Sequence, residues 1–310
     1  MASSHIRDDD KPINWVELPE GLTSLILHYL GATEILENAQ KLCTQWWRIC
    51  KDPSMWRKID MRIPRNLKFI EYDIEMNTED LSVDDLLTFI ANRSIKLERL
   101  GRMMCHAVDL SQGGLVEINI ELFGTDSLLT YIVDRSSNLR RLGLAKCDQI
   151  TGMGLFSAVM KLPLLEELEL SYCKIRGQNL EAIGYACPHL KTLKLNCQGY
   201  RLLPHLESNY GSVNIAKTML DTDYQIIDIV KRMHELRHLQ LFGNRLTDIG
   251  FNAILDGCPH LEHLDLRQCF NINLVGDLEK RCLEKVKVLR RPNDSTADYP
   301  YDTSVLDLPF

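Results

Sequence analysis

The sequence predicts an α/β chain in two parts, a small helical unit at the N-terminus and then a solenoid of stacked strands and helices. Three observations carry this. A nine-residue pattern, L-x-x-L-x-L-x-x-C/N, recurs at steps near twenty-five residues. Between its copies lie apolar positions spaced for helices, closed by the Cys-Pro pairs at Cys187 and Cys258. The first seventy residues lack the pattern and carry two helical apolar stripes with adjacent tryptophans instead.

The clearest copy is Leu165-Glu-Glu-Leu168-Glu-Leu170-Ser-Tyr-Cys173; others start at Leu139, Leu190, Leu236 and Leu261. Weaker copies start at Leu97, Leu115 and Leu283, and from Leu115 onward the steps are 24, 26, 25, 46, 25 and 22 residues. A fixed period in the twenties with this form marks a leucine-rich repeat of the cysteine-containing type. The 46-residue step predicts an insertion over about 199–219. The fourth and sixth positions are two apart, so in a strand they share one face. Segments such as Gly177 to Ala186 and Ile249 to Leu255 read as the helices between. Three buried leucines gain roughly 1.5–3 kcal/mol each, offset by the entropy of ordering a whole unit, so each unit must lean on its neighbours. The Cys or Asn at the ninth position is expected to bond free backbone groups where the strand bends away. About eight units fit within 61–291.

With 45% hydrophobic and 25% charged residues among 310, composition is that of an ordinary globular chain. No apolar run approaches the ~18 residues of a membrane span, and the acidic start (Asp8, Asp9, Asp10) is unlike a secretory signal. A net charge of −7 argues against a general nucleic-acid binder. Ten cysteines without a C-x-x-C pair suit small buried thiols in a reducing compartment. Cys258, His260 and His263 fall on a turn and a strand without a second ligand pair, so no metal site is expected there. Phosphate-binding and nucleophile-elbow motifs are lacking, so neither a cofactor nor catalysis is expected.

In the N-terminal unit Pro19 suits the first turn of a helix. Leu22, Ile26 and Leu30 follow at four-residue steps, and Gly31 ends that helix. Ile35, Leu36, Ala39, Leu42, Cys43 and Trp46 read as a second helix. Asp52-Pro53 opens a third, with Met55 and Trp56, and Ile59-Asp-Met61 reads as the first strand. Two stripes and adjacent tryptophans exceed what so small a bundle can hide. The excess either packs on the first repeat or forms a docking face for another protein.

The run Leu18-Pro19…Leu22…Ile26…Leu30…Ala39…Leu42-Cys43…Trp46, closed by Cys50-Lys-Asp-Pro-Ser-Met-Trp56, resembles an F-box. Followed by cysteine-containing leucine-rich repeats, it resembles the plant F-box/LRR-repeat proteins of the Skp-interacting type. The resemblance covers about Trp15 to Asp298. It implies that Leu18, Pro19, Leu22, Ile26, Leu30, Ile35, Ala39, Leu42, Cys43 and Trp46 supply the bundle core and the face for a Skp-type adaptor. One departure is Thr44, Gln45 and Trp47 around Trp46, where related F-boxes often carry basic or small residues. The implied function is the non-catalytic substrate receptor of a Skp–Cullin–F-box ubiquitin ligase, in the nucleus or cytoplasm. Its partners would be the adaptor, through it a Cullin, and a protein substrate. The competing expectation is a repeat scaffold acting without a ligase.

The divisions expected are 1–13 disordered, 14–60 F-box, 61–291 repeats and 292–310 an acidic flexible tail. Outward residues on the repeat strands form rows: Arg140 and Arg141; Glu166, Glu167, Glu169 and Tyr172; Lys191 and Lys194; Arg237, His238, Gln240 and Phe242; Asp265 and Arg267. These rows are either neutralised between adjacent strands or form a target-binding surface anchored by Tyr172 and Phe242. Asp294, Asp298, Asp302 and Asp307 follow Pro292 without Lys or Arg, and such a tail is expected to be solvated or, as in some related proteins, folded back on the concave face.

Overall fold

The computed structural model describes residues 18–62, 83–173, 175, 183–197 and 215–301. The N-terminal segment expected to be disordered, most of the insertion expected at 199–219 and the last nine tail residues lie outside these. Among the described residues eight strands form one parallel sheet in chain order: β1 (Lys58–Met61), β2 (Glu117–Glu121), β3 (Arg141–Ala145), β4 (Glu167–Ser171), β5 (Thr192–Asn196), β6 (His238–Gln240), β7 (His263–Asp265) and β8 (Val288–Arg290). The fourth repeat positions are in register, Ile118 to Leu142, Leu168, Leu193, Leu239, Leu264 and Leu289. The sixth positions, Ile120, Leu144, Leu170, Leu195, Leu241 and Leu266, are all buried.

This register corrects two unit starts. Leu97 lies within a long helix, Val83–Leu110, where Leu97 and Leu100 pack half-buried on the core. The L-x-x-L spacing is shared by a helix face and a repeat, and the sixth position there is Arg102. The last unit starts at Val286, because Leu289 pairs with Leu264; Leu283 lies exposed at the end of the preceding helix. By the same register Trp56 takes the first position of the β1 unit, ahead of Ile59.

Two backbone ladders run across the sheet. At the strand starts Glu166 N donates to Arg140 O, Lys191 N to Glu166 O, Arg237 N to Lys191 O and Glu262 N to Arg237 O, all at 2.8–2.9 Å. At the strand ends the eighth position turns left-handed in six units: Leu122, Lys146, Tyr172, Cys197, Gly243 and Gln268. Each donates its N–H to the seventh carbonyl of the next unit, ending with Gln268 N on Pro292 O at 2.9 Å. A left-handed non-glycine residue costs roughly 1–2 kcal/mol, and the ladder bond offsets it by sparing a buried donor worth ~1–3 kcal/mol. The ninth residue then bonds back to the sixth carbonyl of the preceding unit. Cys173 Sγ reaches Leu144 O at 3.5 Å, Cys269 Sγ reaches Leu241 O at 2.8 Å, and Asn244 Nδ2 reaches Leu195 O at 2.5 Å.

In the N-terminal unit α1 is Glu20–Tyr29, α2 Ala32–Glu37 and α3 Thr44–Cys50. The single second helix expected from Ile35 to Trp46 is broken. Asn38 leaves helical geometry, and Cys43, fully extended, caps α3 by accepting from Trp46 N. Asp52 caps the turn Pro53–Trp56, and the Trp56 indole donates to Cys50 O at 2.8 Å. Leu27, Ile35, Trp46 and Trp56 belong to the same continuous core as the repeat leucines. The unit is therefore an integral end of the solenoid.

The outer layer holds α4 (Val83–Leu110), α5 (Asp126–Arg135), α6 (Gly152–Val159), α7 (Ile215–Val230), α8 (Asp248–Gly257) and α9 (Gly276–Lys285). The last residues of the expected insertion, 215–219, are helical, part of α7. Asp126 of α5 accepts from Thr151 N and Oγ1 at 2.8 and 2.7 Å, and Asp223 of α7 does the same for Thr247. Those threonines cap α6 and α8, so one carboxylate fixes each helix to the next.

Candidate functional site

On α1 the buried side is Thr23 and Leu27, with Leu30 half-buried. The stripe expected from Leu22, Ile26 and Leu30 is thus rotated: Ile26 is half-buried and Leu22 is 51% exposed. Leu25 and Tyr29 stand out at 60% and 91%, one helix face with Leu22 at three- and four-residue spacing. Leu42, just before α3, and Trp47, within it, are also exposed, at 64% and 51%. The side chain of Gln45 in α3 donates to Leu18 O at 2.9 Å, holding the start of α1 against α3. Of the other expected residues, Ile35, Ala39 and Trp46 are buried, Cys43 and Leu18 half-buried and Pro19 exposed at the helix start. The expected set therefore divides into buried and exposed residues, and Leu25, Tyr29 and Trp47 are large exposed apolar residues outside it.

The charged rows of the repeat strands are paired sideways. Glu166 meets Arg140 at 2.6 Å and Lys191 at 3.5 Å; Glu167 meets Lys194 at 2.6 Å and Arg141 at 3.5 Å. Lys194 also meets Glu169, and Arg237 meets Glu262 at 2.8 Å. Gln240 donates to Asp265 and accepts from Asn196, while His238 and His263 stack at 4.2 Å. Opposite charges on adjacent strands thus neutralise one another, as the first of the two expectations held.

Tyr172 and Phe242, expected as exposed anchors, are buried at 5% and 0%. What covers them is the chain's own C-terminal segment. The Tyr299 ring lies on Phe242 with centroids 3.7 Å apart and planes 1° from parallel. Tyr301 meets Tyr172 edge-on at 5.6 Å. Arg267 binds Asp265 through Nε and Nη2, and its Nη1 donates to Asp298 at 2.5 Å and Ser295 O at 2.9 Å. The tail expected to be flexible from Pro292 is packed as far as Tyr301, because its tyrosines bring the apolar surface that its composition of aspartates obscures. Pro292 itself is the seventh residue of the last repeat unit.

The F-box-like family model matches residues 15–62, and the leucine-rich-repeat model, two copies, matches 234–280. F-box protein SKIP19 of Arabidopsis thaliana is 51% identical over 305 residues, covering 95% of this chain and 85% of its own length. The chain belongs to the F-box/LRR-repeat proteins. F-box/LRR-repeat protein 23 of the same plant is 53% identical over 288 residues, and there the chain spans 55% of the relative's length. F-box/LRR-repeat protein 21 is 51% identical over 292 residues, with 93% of this chain and 85% of its own length covered.

In this F-box/LRR-repeat protein the apolar face sits on a unit braced to the solenoid. Glu37 of α2 pairs with Arg99 of α4 at 2.7 Å, and the Ser24 hydroxyl reaches Met55 Sδ at 3.5 Å. Among the described residues no group of three or more His, Cys, Asp and Glu side chains is placed to hold a metal, and no helix is long and apolar enough to cross a membrane. Burial pushes the Cys173 thiol up to about 11 and those of Cys187, Cys258 and Cys269 to about 12. These cysteines act as packing groups, and the Cys173 and Cys269 thiols also as weak donors.

Proposed function

We propose that this chain is the substrate-recognition subunit of a Skp–Cullin–F-box ubiquitin ligase in the nucleus or cytoplasm. Leu22, Leu25, Tyr29, Leu42 and Trp47 dock a Skp-type adaptor, and the repeat solenoid holds a target protein. The observation that carries this is the open apolar face on a unit whose other side is fully committed to the core. Large apolar residues grouped on one exposed face mark a protein interaction site, and aromatics such as Tyr29 and Trp47 are enriched among interface anchors. Its contribution to catalysis is positional. An adaptor gripped at one end and a target held at the other raise the target's effective concentration at a distant active site.

Calorimetry with a purified Skp-type adaptor tests the docking face. Leu25→Glu and Trp47→Glu are expected to weaken binding by two decades or more while leaving the far-UV spectrum and melting temperature of the free chain unchanged. Binding indifferent to both changes overturns the assignment and favours a scaffold that works without the ligase.

A further inference from the structure

The repeat architecture is complete before the C-terminal strap begins. Pro292 O accepts from Gln268 N and closes the last rung of the strand-end ladder, so residues 295–301 finish neither a strand nor a turn of the solenoid. The strap runs back over the strand ends from β7 to β4, against the chain order of the repeats, and it meets matching chemistry at each step. Asp298 lies between Arg267 Nη1 at 2.5 Å and Arg290 at 3.1 Å. Arg267 is only 3% exposed, and its remaining donors are held by Asp265, which turns Nη1 outward. Tyr299 stacks on Phe242. Tyr301 fits edge-on against Tyr172, with Lys146 Nζ 5.5 Å from its ring and Glu169 Oε1 3.4 Å from its hydroxyl. Pro300, between the tyrosines, is exposed. One acid followed by aromatics at the next and third-next positions is thus read by a buried arginine and two aromatic walls.

We infer that this cleft is the target-docking site, that the strap is a tethered stand-in for the target, and that the target presents an Asp-Tyr-x-Tyr segment whose acid sits in a tight turn, as Asp298 does where Tyr299 N donates to Thr296 O at 2.9 Å. This rests on the proposed role of the repeats in holding a target. A short tether keeps the strap at an effective concentration of about millimolar, so a free segment competes only when it binds the empty cleft much more tightly or when the strap is released.

The test uses a fluorescent peptide of residues 294–303 and the full chain, a chain ending at Asp294, and the full-length Tyr299→Ser/Tyr301→Ser variant. The shortened chain is expected to bind the peptide at least tenfold more tightly than the full chain does. Asp298→Lys in the peptide, or Arg267→Met in the shortened chain, is expected to remove tenfold or more of that affinity. The double-serine variant, with its strap loosened and the solenoid intact, is expected to bind like the shortened chain. Equal binding of the peptide and a scrambled peptide by a folded, strap-free chain overturns the inference. So does failure of both strap variants to fold, which would make the strap part of the solenoid, and so does a dimer formed by exchange of straps between copies. Adaptor is absent from every arm, so a failure of the ligase assignment would show only in the calorimetry above.

Discussion

The rings of Phe242 and Tyr299, separated by 57 positions in the chain, lie 3.7 Å apart and 1° from parallel, both with 2% exposure or less. Phe242 stands at the seventh position of its unit, where Ala145, Ser171, Asn196 and Arg267 stand in others. Truncating a buried aromatic costs about 3–5 kcal/mol. Tyr299→Ala is therefore expected to destabilise the C-terminal units by about 3 kcal/mol. Hydrogen exchange should show the loss in β6 to β8 and leave β1 to β3 protected, because stability in a stacked array is local. Uniform loss across all strands would mean that the strap braces the whole solenoid.

Acid should loosen the strap. Partial burial opposes charge on Asp298, yet the Arg267 guanidinium outweighs it and holds the carboxyl below its ordinary value. A carboxylate whose folded pKa is lowered contributes stability that is fully present above the unfolded pKa of about 3.9 and is lost as pH falls through the folded one. The Asp298 side chain is 54% exposed, so the contribution is under about 1 kcal/mol. Exchange protection of Tyr299 and Tyr301 amides, compared between wild type and Asp298→Asn, is expected to diverge above pH 4 and converge below it. Parallel profiles would place the strap's hold in its aromatics alone.

Most of the solenoid was legible because its signal is repeated. Leu142, Leu168, Leu193, Leu239 and Leu264 fall in one register, and the Cys173 and Cys269 thiols bond the backbone carbonyls that a ninth-position turn residue must satisfy. Where a feature occurs once, the pattern misled. Leu97 and Leu100 satisfy a helix face as well as a repeat start. The α1 stripe was misplaced by one residue because Thr23, polar in the sequence, is fully buried beside Leu27 and donates to Pro19 O. The strap was hidden by its aspartates, since four acids in nineteen residues read as solvated until Arg267 and Phe242 are seen to meet Asp298 and Tyr299. Tyr172 and Phe242 were found as aromatic surface, but their covering was not, because pairing across more than fifty residues leaves no periodic trace.

Leu27 and Leu25 sit two residues apart on α1 and should separate stability from binding. Leu27 is 0% exposed within the core and Leu25 is 60% exposed. Leu27→Ala is expected to cost about 2–5 kcal/mol through the lost burial and the cavity left behind. Leu25→Ala is expected to change stability by less than about 0.5 kcal/mol. Urea unfolding of the two variants checks this, and a reversal would place the open face of α1 on the other side.

Gly154 is expected to be irreplaceable at modest volume. A Cβ there would meet Asp126 Oδ1 at 2.0 Å, and that carboxylate already holds the backbone N–H and hydroxyl of Thr151 at the start of α6. Gly154→Ala must push the carboxylate away and strand those donors, although alanine is elsewhere the better helix former by about 1 kcal/mol. A net loss of about 1–3 kcal/mol is expected, partly recovered in Gly154→Ala/Asp126→Ser, where a shorter side chain makes room for the methyl group.

Cys197 reports on the strap directly. It stands at the eighth position of its unit, left-handed at φ 52° and 1% exposed, in one cluster with Tyr172, Phe242, Tyr299 and Tyr301. Burial pushes its thiol up to about 12, so at pH 8 almost no thiolate is present and no reagent can reach it. Removing residues after Asp294 uncovers one side of the cluster and lowers both barriers together. Alkylation of Cys197 at pH 8, followed by peptide mass mapping, is expected to accelerate at least tenfold in the shortened chain. Cys147, Cys173 and Cys269, whose thiols point at carbonyls inside the sheet, should remain unlabelled in both. Equal acceleration at all four positions would mean that loss of the strap opens the solenoid as a whole.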